Sequence, residues 1–407
     1  MQLGWVDYSR EERETIKELL KVLGESGSLD ELGVGIVRDS ISDLLYPGTS
    51  VLHTRAKYYI LIPELFKKAM NSGLTTGSEV RNLINTDQDR IARALRRAID
   101  EKTRTKAAGI IGGRSDRGVK MKPTRIYWNA LRTTEILCNP DMSFDDACSA
   151  VAGYNRKTQN IVIKYESEDD GGDADDAGAG NFALFTAPCK ERIEDYLENP
   201  TLHLRKDEAD YLRTQFLHVP VMKNTLMEYC LKTKTSYQGV ALDDIPTEGM
   251  PEVLAHNLEL ATEFANFIYG AYIVYNLLFI ENGGEYATAE EKSRLENKYR
   301  DWKKKSPGLP HRDEILKFVR NHEHYKAALR DFLIRFESAV KNNTTDSCSD
   351  EEKRIIKLRE QACKSVKAKI GKDYPYQEIQ SSPMNYRHGT GQTIISDILK
   401  GMVRDDA

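Results

Sequence analysis

The chain has 407 residues, 40% hydrophobic and 30% charged, the balance of an ordinary globular protein with length for two or three domains. Its net charge of -4 conceals an asymmetry: residues 1–163 carry 25 Lys+Arg against 21 Asp+Glu, and residues 164–407 carry 34 against 42. The start is charged from Arg10 onward and lacks a secretory pattern of basic, apolar and small residues, so a cytoplasmic location is expected.

In chain order, Ser9 and Glu12 form a capping box ahead of Ile16, Leu19, Leu20 and Leu23, which predicts a first helix ending near Gly24. Ser28 with Glu31 opens a second, whose stripe Val34, Val37, Ile41, Leu44 and Leu45 stops at Pro47 and Gly48. Thr54 to Met70 is apolar nearly all round, as in an element buried on several sides, and Pro63 must kink or break it; a short strand ending at Pro63 is the alternative. Thr86 to Asp100 predicts a helix, followed by a Gly- and Lys/Arg-rich loop and a further helix from Thr124.

Glu166, Glu168, Asp169, Asp170, Asp173, Asp175 and Asp176, interleaved with glycines, bury almost nothing and repel one another. They predict an acidic disordered linker or loop, 164–181, between a basic N-terminal helical domain, 1–163, and a C-terminal helical domain, 182–407; an acidic mimic that masks a basic surface is the other reading. Beyond it, helical spacing runs through Lys206–Leu217, Met222–Leu231, Pro251–Glu281, Ala289–Lys304, Arg312–Val340, Ser349–Lys369 and Thr393–Val403. Phe264 to Ile280, uncharged but interrupted by Asn266, Asn276 and three tyrosines, reads as a buried core helix rather than a membrane span. Gly270 and Ala271 suit close helix packing, with a cofactor box as the alternative. The expected fold is therefore mainly α: an N-terminal helical domain with room for a winged-helix-like element, and a C-terminal helical bundle.

From Arg81 to Arg132 there are 14 Lys/Arg against five Asp/Glu. Arg90, Arg93 and Arg97 recur on one helix face, and Arg114, Arg117, Lys120, Lys122 and Arg125 follow through a loop whose glycines let backbone amides approach an anion. Clustered cations of this kind neutralise phosphates and release counterions, the source of affinity for nucleic acid; the alternative is a solvated surface, with Tyr127 and Trp128 in the core. Gly48, Thr49, Ser50 and Arg55 offer amides, hydroxyls and a cation as a second anion site, or simply a capped turn.

No metal, cofactor or catalytic site is expected. His322 and His324, two apart on a helix, point to opposite sides, and neither a GxSxG elbow nor a GxGxxG loop occurs. The six cysteines, Cys138, Cys148, Cys189, Cys230, Cys348 and Cys363, contain no CxxC pair and are expected as reduced, mostly buried thiols.

The segments Gly4–Ser9 (GWVDYS), Asp30–Gly35, Arg38 with Asp39, Pro47–Ser50 (PGTS) and Thr54–Tyr58 (TRAKY) resemble an uncharacterised bacterial domain-of-unknown-function family. The resemblance continues in Pro123–Trp128, in Gly270, Ala271 and Tyr275–Leu277, and in Tyr386, Arg387, Asp397–Leu399 and Gly401; the acidic insert departs from it. It implies a setting near helicase and phospholipase-D-like genes in antiviral defence regions. The function expected on these grounds is a non-enzymatic nucleic-acid-binding or adaptor subunit of a bacterial antiviral defence system, with a helicase among its protein partners and no membrane contact. A protein-interaction scaffold, and a divergent nuclease or an enzyme acting on a phosphorylated ligand, are the rivals. The enzyme reading requires Asp39, Asp43 and Arg55 to converge.

Overall fold

The computed structural model describes residues 30–98, 109–112, 121–167, 183–305, 308–319 and 323–404. Fourteen helices run through them with two strands of two residues each, so the fold is mainly α. In chain order the helices are α1 (Gly35–Leu45), α2 (Tyr58–Met70), α3 (Gly77–Ala98), α4 (Pro123–Thr133), α5 (Phe144–Ser167), α6 (Ile193–Glu198), α7 (Lys206–His218) and α8 (Leu226–Thr233). There follow α9 (Glu252–Glu281), α10 (Ala289–Lys304), α11 (Arg312–Lys317), α12 (Glu323–Asn342), α13 (Asp350–Lys364) and α14 (His388–Met402). The chain divides into two compact units, each drawing on both sides of the acidic stretch: one from Met1–Ser42 with Ala255–Tyr386, the other from Asp43–Leu254 with Arg387–Ala407.

In the first unit, Asp30 accepts from the amides of Leu32 and Val34 and so opens α1. The Ser9–Glu12 helix, and Ser28 of the expected second capping box, lie outside the described residues. Arg359 on α13 holds the same segment, donating to Leu32 O at 2.8 Å while its guanidinium lies 5.2 Å from the Phe332 ring centre. Helix α9 is long and apolar enough to cross a membrane, and 78% of its most apolar stretch is buried inside the fold. Its Gly270 is there for close approach, because a Cβ would collide with the ring of Trp302, and the indole N–H donates to Asn266 O at 2.7 Å. A buried asparagine needs partners, and Asn276 has them: it donates to Tyr272 O and Ile379 O and accepts from Ile379 N. Tyr275 donates to the buried Glu360 at 2.8 Å. These groups are spent on packing.

Helix α10 has the bounds that sequence spacing predicts, set by a Thr288–Glu291 capping box. The single helix expected over Arg312–Val340 is instead two, because the first closes in tight three-residue turns from Phe318 to Ile315 and from Val319 to Leu316. Strands β1 (Gly284–Glu285) and β2 (Tyr374–Pro375) pair in parallel.

In the second unit, α2 runs through Pro63 and is buried at every residue from Tyr58 to Phe66, so the strand alternative is not taken. Helix α3 begins well before Thr86, because Thr76 and Glu79 form the cap: Thr76 donates to the Glu79 carboxylate and accepts from its amide. Helix α5, opened by the same device between Ser143 and Asp146, is an element the sequence analysis does not name. Residues 164–167 of the expected acidic linker are its last turn, and 168–181 lie outside the described residues. Helix α2 packs on α3, α4 and α5, and α14 lies along α7 and α8. Among the described residues of this unit no hairpin forms, only an isolated bridge of Leu137 with Phe185, so the winged-helix-like element has no wing there. All six cysteines are free; Cys148, Cys230 and Cys363 are buried and Cys138 is exposed.

Candidate functional site

The basic surface is built on α3 and α4. On α3 the buried positions Val80, Ile84, Ile91 and Leu95 face the core at helical spacing, which turns Arg90, Arg93 and Arg97 outward. Gln88 accepts from Thr124 N at 2.9 Å, and Lys122 pairs with Asp89, so the start of α4 is fastened to the middle of α3. Arg93, Arg97 and Arg125 are exposed and form no ion pair with another described residue. Two of the predicted contacts are partly spent: Arg90 reaches Asp87 at 2.8 Å, and Lys122 is only 18% exposed beside Asp89. Arg114, Arg117 and Lys120 lie outside the described residues. Tyr127 and Trp128 are core residues, with the indole donating to Met142 O at 2.9 Å.

Between the undescribed stretches of the Gly-rich loop, residues 109–112 are docked on α2 and the turn before it. Thr54 Oγ1 donates to Gly109 O at 2.6 Å, and Ile111, itself buried, donates its amide to Tyr58 Oη at 3.0 Å. A Cβ at Gly109 would collide with the Arg55 side chain, so the loop approaches this closely only with glycine there. The basic loop is therefore tethered at its centre to the same unit that carries α3 and α4.

Gly48, Thr49, Ser50 and Arg55 are each engaged within the fold. Gly48 turns with φ +70° against Thr133, Thr49 Oγ1 donates to Tyr46 O, and Ser50 N donates to His53 Nδ1. Arg55 grips Asp397 on α14 through Nε to Oδ2 and Nη2 to Oδ1, both at 2.8 Å, and Oδ2 also accepts from Ala56 N at 2.9 Å. Lys57, 1% exposed, donates to both oxygens of Glu208, 0% exposed, at 2.8 Å. Tyr127 Oη accepts from the amides of Thr54 and Arg55 and donates to Arg55 O. The TRAKY segment is thus a hub that fastens α2 to α4, α7, α14 and the basic loop.

Two buried histidines complete it. His53 stacks on Tyr127 at 4.1 Å, donates from Nε2 to Ile126 O and accepts at Nδ1, and burial lowers its pKa to about 4. His388, its pKa also lowered by burial, donates from Nε2 to Val240 O, so Nδ1 accepts from Tyr46 Oη at 2.6 Å. Tyr46 in turn accepts from Gln392 Nε2 at 3.0 Å. Each ring nitrogen has its own partner, so both rings are held as neutral single tautomers.

The groups the enzyme reading needs have separate partners. Asp39 bonds Arg38, Asp43 bonds Arg387 at 2.8 Å, and Arg55 bonds Asp397. Among the described residues no group of three His, Cys, Asp or Glu is placed to hold a metal ion. His322 lies outside them, ahead of α12.

Residues 1–154 match the model of a family of unknown function, DUF6361. That stretch contains the PGTS and TRAKY segments together with α3 and α4, and so most of the basic surface. The partners that tie it down, Glu208 and Asp397, come from outside it. No curated protein and no solved structure matches the chain.

Sequence reasoning gives no role to Asp397, named only within the resemblance, and passes over Glu208, His53 and Glu64. Asp397 and Glu208 bond residues 342 and 151 positions away, a relation that spacing cannot carry. Glu64 carries a local signal, being the single acid in an otherwise apolar stretch of α2.

Proposed function

We propose that this chain is a nucleic-acid-binding or adaptor subunit, non-enzymatic, of a bacterial antiviral defence system, with a helicase among its partners. The observation that carries the binding part is the placement of Arg93, Arg97 and Arg125 on α3 and α4, exposed and without an ion-pair partner among the described residues. Guanidinium groups that neutralise phosphates release the counterions condensed on them, which supplies affinity whatever the base sequence. The sequence adds Arg114, Arg117 and Lys120 to the same loop, whose centre is tethered at Gly109–Gly112. Support for a non-enzymatic role comes from the hub, where Arg55, Lys57, Glu208 and Asp397 neutralise one another. The defence setting and the helicase rest on the family resemblance alone.

A gel-shift titration at rising salt, with duplex DNA, single-stranded DNA and RNA in parallel, tests the reading. Binding at low salt that weakens steeply as salt rises supports it. Absence of binding to all three at low salt overturns it, and co-purification of a protein partner without nucleic acid would turn the chain into a scaffold.

A further inference from the structure

We propose that the cavity beside α2 lined by Glu64, Lys67, Leu83, Arg192 and Ile193 binds a small amphoteric molecule, one bearing an ammonium and a carboxylate, as a free amino acid does. Its volume of about 430 Å³ falls in the ordinary range for small-ligand sites. The inference stands apart from the nucleic-acid reading and uses none of its residues.

Glu64 defines the site. It is 4% exposed, and Oε1 accepts from Glu191 N at 3.1 Å, while Oε2 has no hydrogen-bond partner among the described residues. A carboxylate so buried and half satisfied is costly to keep ionised. Its burial pushes the pKa up to about 7. A ligand N–H donor would supply the missing partner and favour the ionised form.

The neighbouring charges decide what that ligand is. Lys68 is spent on Asp87 at 2.7 Å and Glu194 at 2.9 Å, Glu191 is spent on Arg205 at 2.8 Å, and Lys67 donates to Cys189 O. Arg192 is exposed and forms no ion pair with another described residue. Among the described residues the cavity thus presents, at Glu64 Oε2, an acceptor without a hydrogen-bond partner that is open to the cavity, and, at Arg192, an exposed cation without an ion pair, with Leu83 and Ile193 as apolar wall. An anion alone would meet the Glu64 carboxylate, a divalent cation would meet Lys67 and Arg192, and a simple amine would leave Arg192 unused. An amino acid satisfies both ends.

The experiment is isothermal titration of the full chain near pH 6.5, in two buffers of different ionisation heat, with glycine, L-lysine, L-glutamine and L-glutamate as probes and ethylamine and acetate as single-charge controls. At least one amino acid is expected to bind more tightly than either control and to release a proton, because the donor draws Glu64 into its ionised form. Glu64→Gln, which keeps an acceptor for Glu191 N, should weaken that binding about tenfold or more and abolish proton release. Arg192→Ala, at an exposed position, should weaken the amino acid about tenfold and leave ethylamine unchanged. Failure of every amino acid to bind overturns the proposal. So does binding that neither variant alters, and if Glu64→Gln does not fold, the response of Arg192→Ala decides.

Discussion

Replacing Asp397 with alanine removes the carboxylate that accepts from Arg55 Nε and Nη2 at 2.8 Å and from Ala56 N at 2.9 Å. The two side chains are 18% and 9% exposed, so the loss takes the carboxylate from a guanidinium where little water can replace it, and leaves a buried backbone amide unpaired. Breaking a buried ion pair costs about 3–5 kcal/mol; the residual exposure of Arg55 puts this one at the lower end, about 3 kcal/mol. Urea unfolding at pH 7 reads the effect if Trp5 and Trp302 are replaced by phenylalanine, because the remaining Trp128 lies in the same unit as the pair. Removing both partners, Arg55→Leu with Asp397→Leu, should restore a large part of the loss, since the two opposite charges leave together. A loss below about 1 kcal/mol for Asp397→Ala, or a double variant as unstable as the single one, would refute the assignment of this pair as the tie between TRAKY and α14.

Other outcomes follow from the same packing. His53 has a folded pKa of about 4 against an ordinary 6.5, so the unfolded chain binds the extra proton first. The stability tied to its neutral form is complete above pH 6.5 and falls as pH drops toward 4, by about 2.5 kcal/mol at pH 4.5. His53→Gln should flatten the acid limb of the unfolding curve, and parallel curves would contradict the buried neutral ring. Glu64 acts with the opposite sign: its raised pKa costs stability as pH climbs through about 7, so Glu64→Gln should be relatively more stable than the parent above neutrality in a pH series of melting temperatures. Gly270→Ala places a methyl group against the Trp302 ring and should cost about 1–3 kcal/mol, with a change in Trp302 emission; an unchanged melting temperature would mean the two helices have room to part.

The sequence spoke most clearly where local chemistry decides. Thr288 with Glu291 marks the start of α10, and Thr76 with Glu79 carries the same signature for α3, although Thr86 stands nearer the apolar stripe. Helix α5 was hard to see because its buried positions include Ala147, Cys148, Ala152 and Asn155, small or polar residues that leave a faint apolar stripe. The basic surface is legible as composition, but which cations are spent is not: only the fold brings Asp89 to Lys122. Arg55 shows the same limit more sharply. A cation beside a Gly-Thr-Ser turn is what an anion site needs, and its counter-ion sits on the last helix.

The measurement closest to the central claim is the salt dependence of nucleic-acid binding, followed by fluorescence anisotropy with a labelled duplex for the parent chain and the Arg93→Ala/Arg97→Ala/Arg125→Ala variant. Each phosphate neutralised contributes about 0.9 to the slope of log affinity against log salt, so three lost contacts should make the variant's slope shallower by about 2.7 and weaken it uniformly across sequences. An unchanged slope and affinity in the variant would contradict the claim that this face of α3 and α4 meets phosphates.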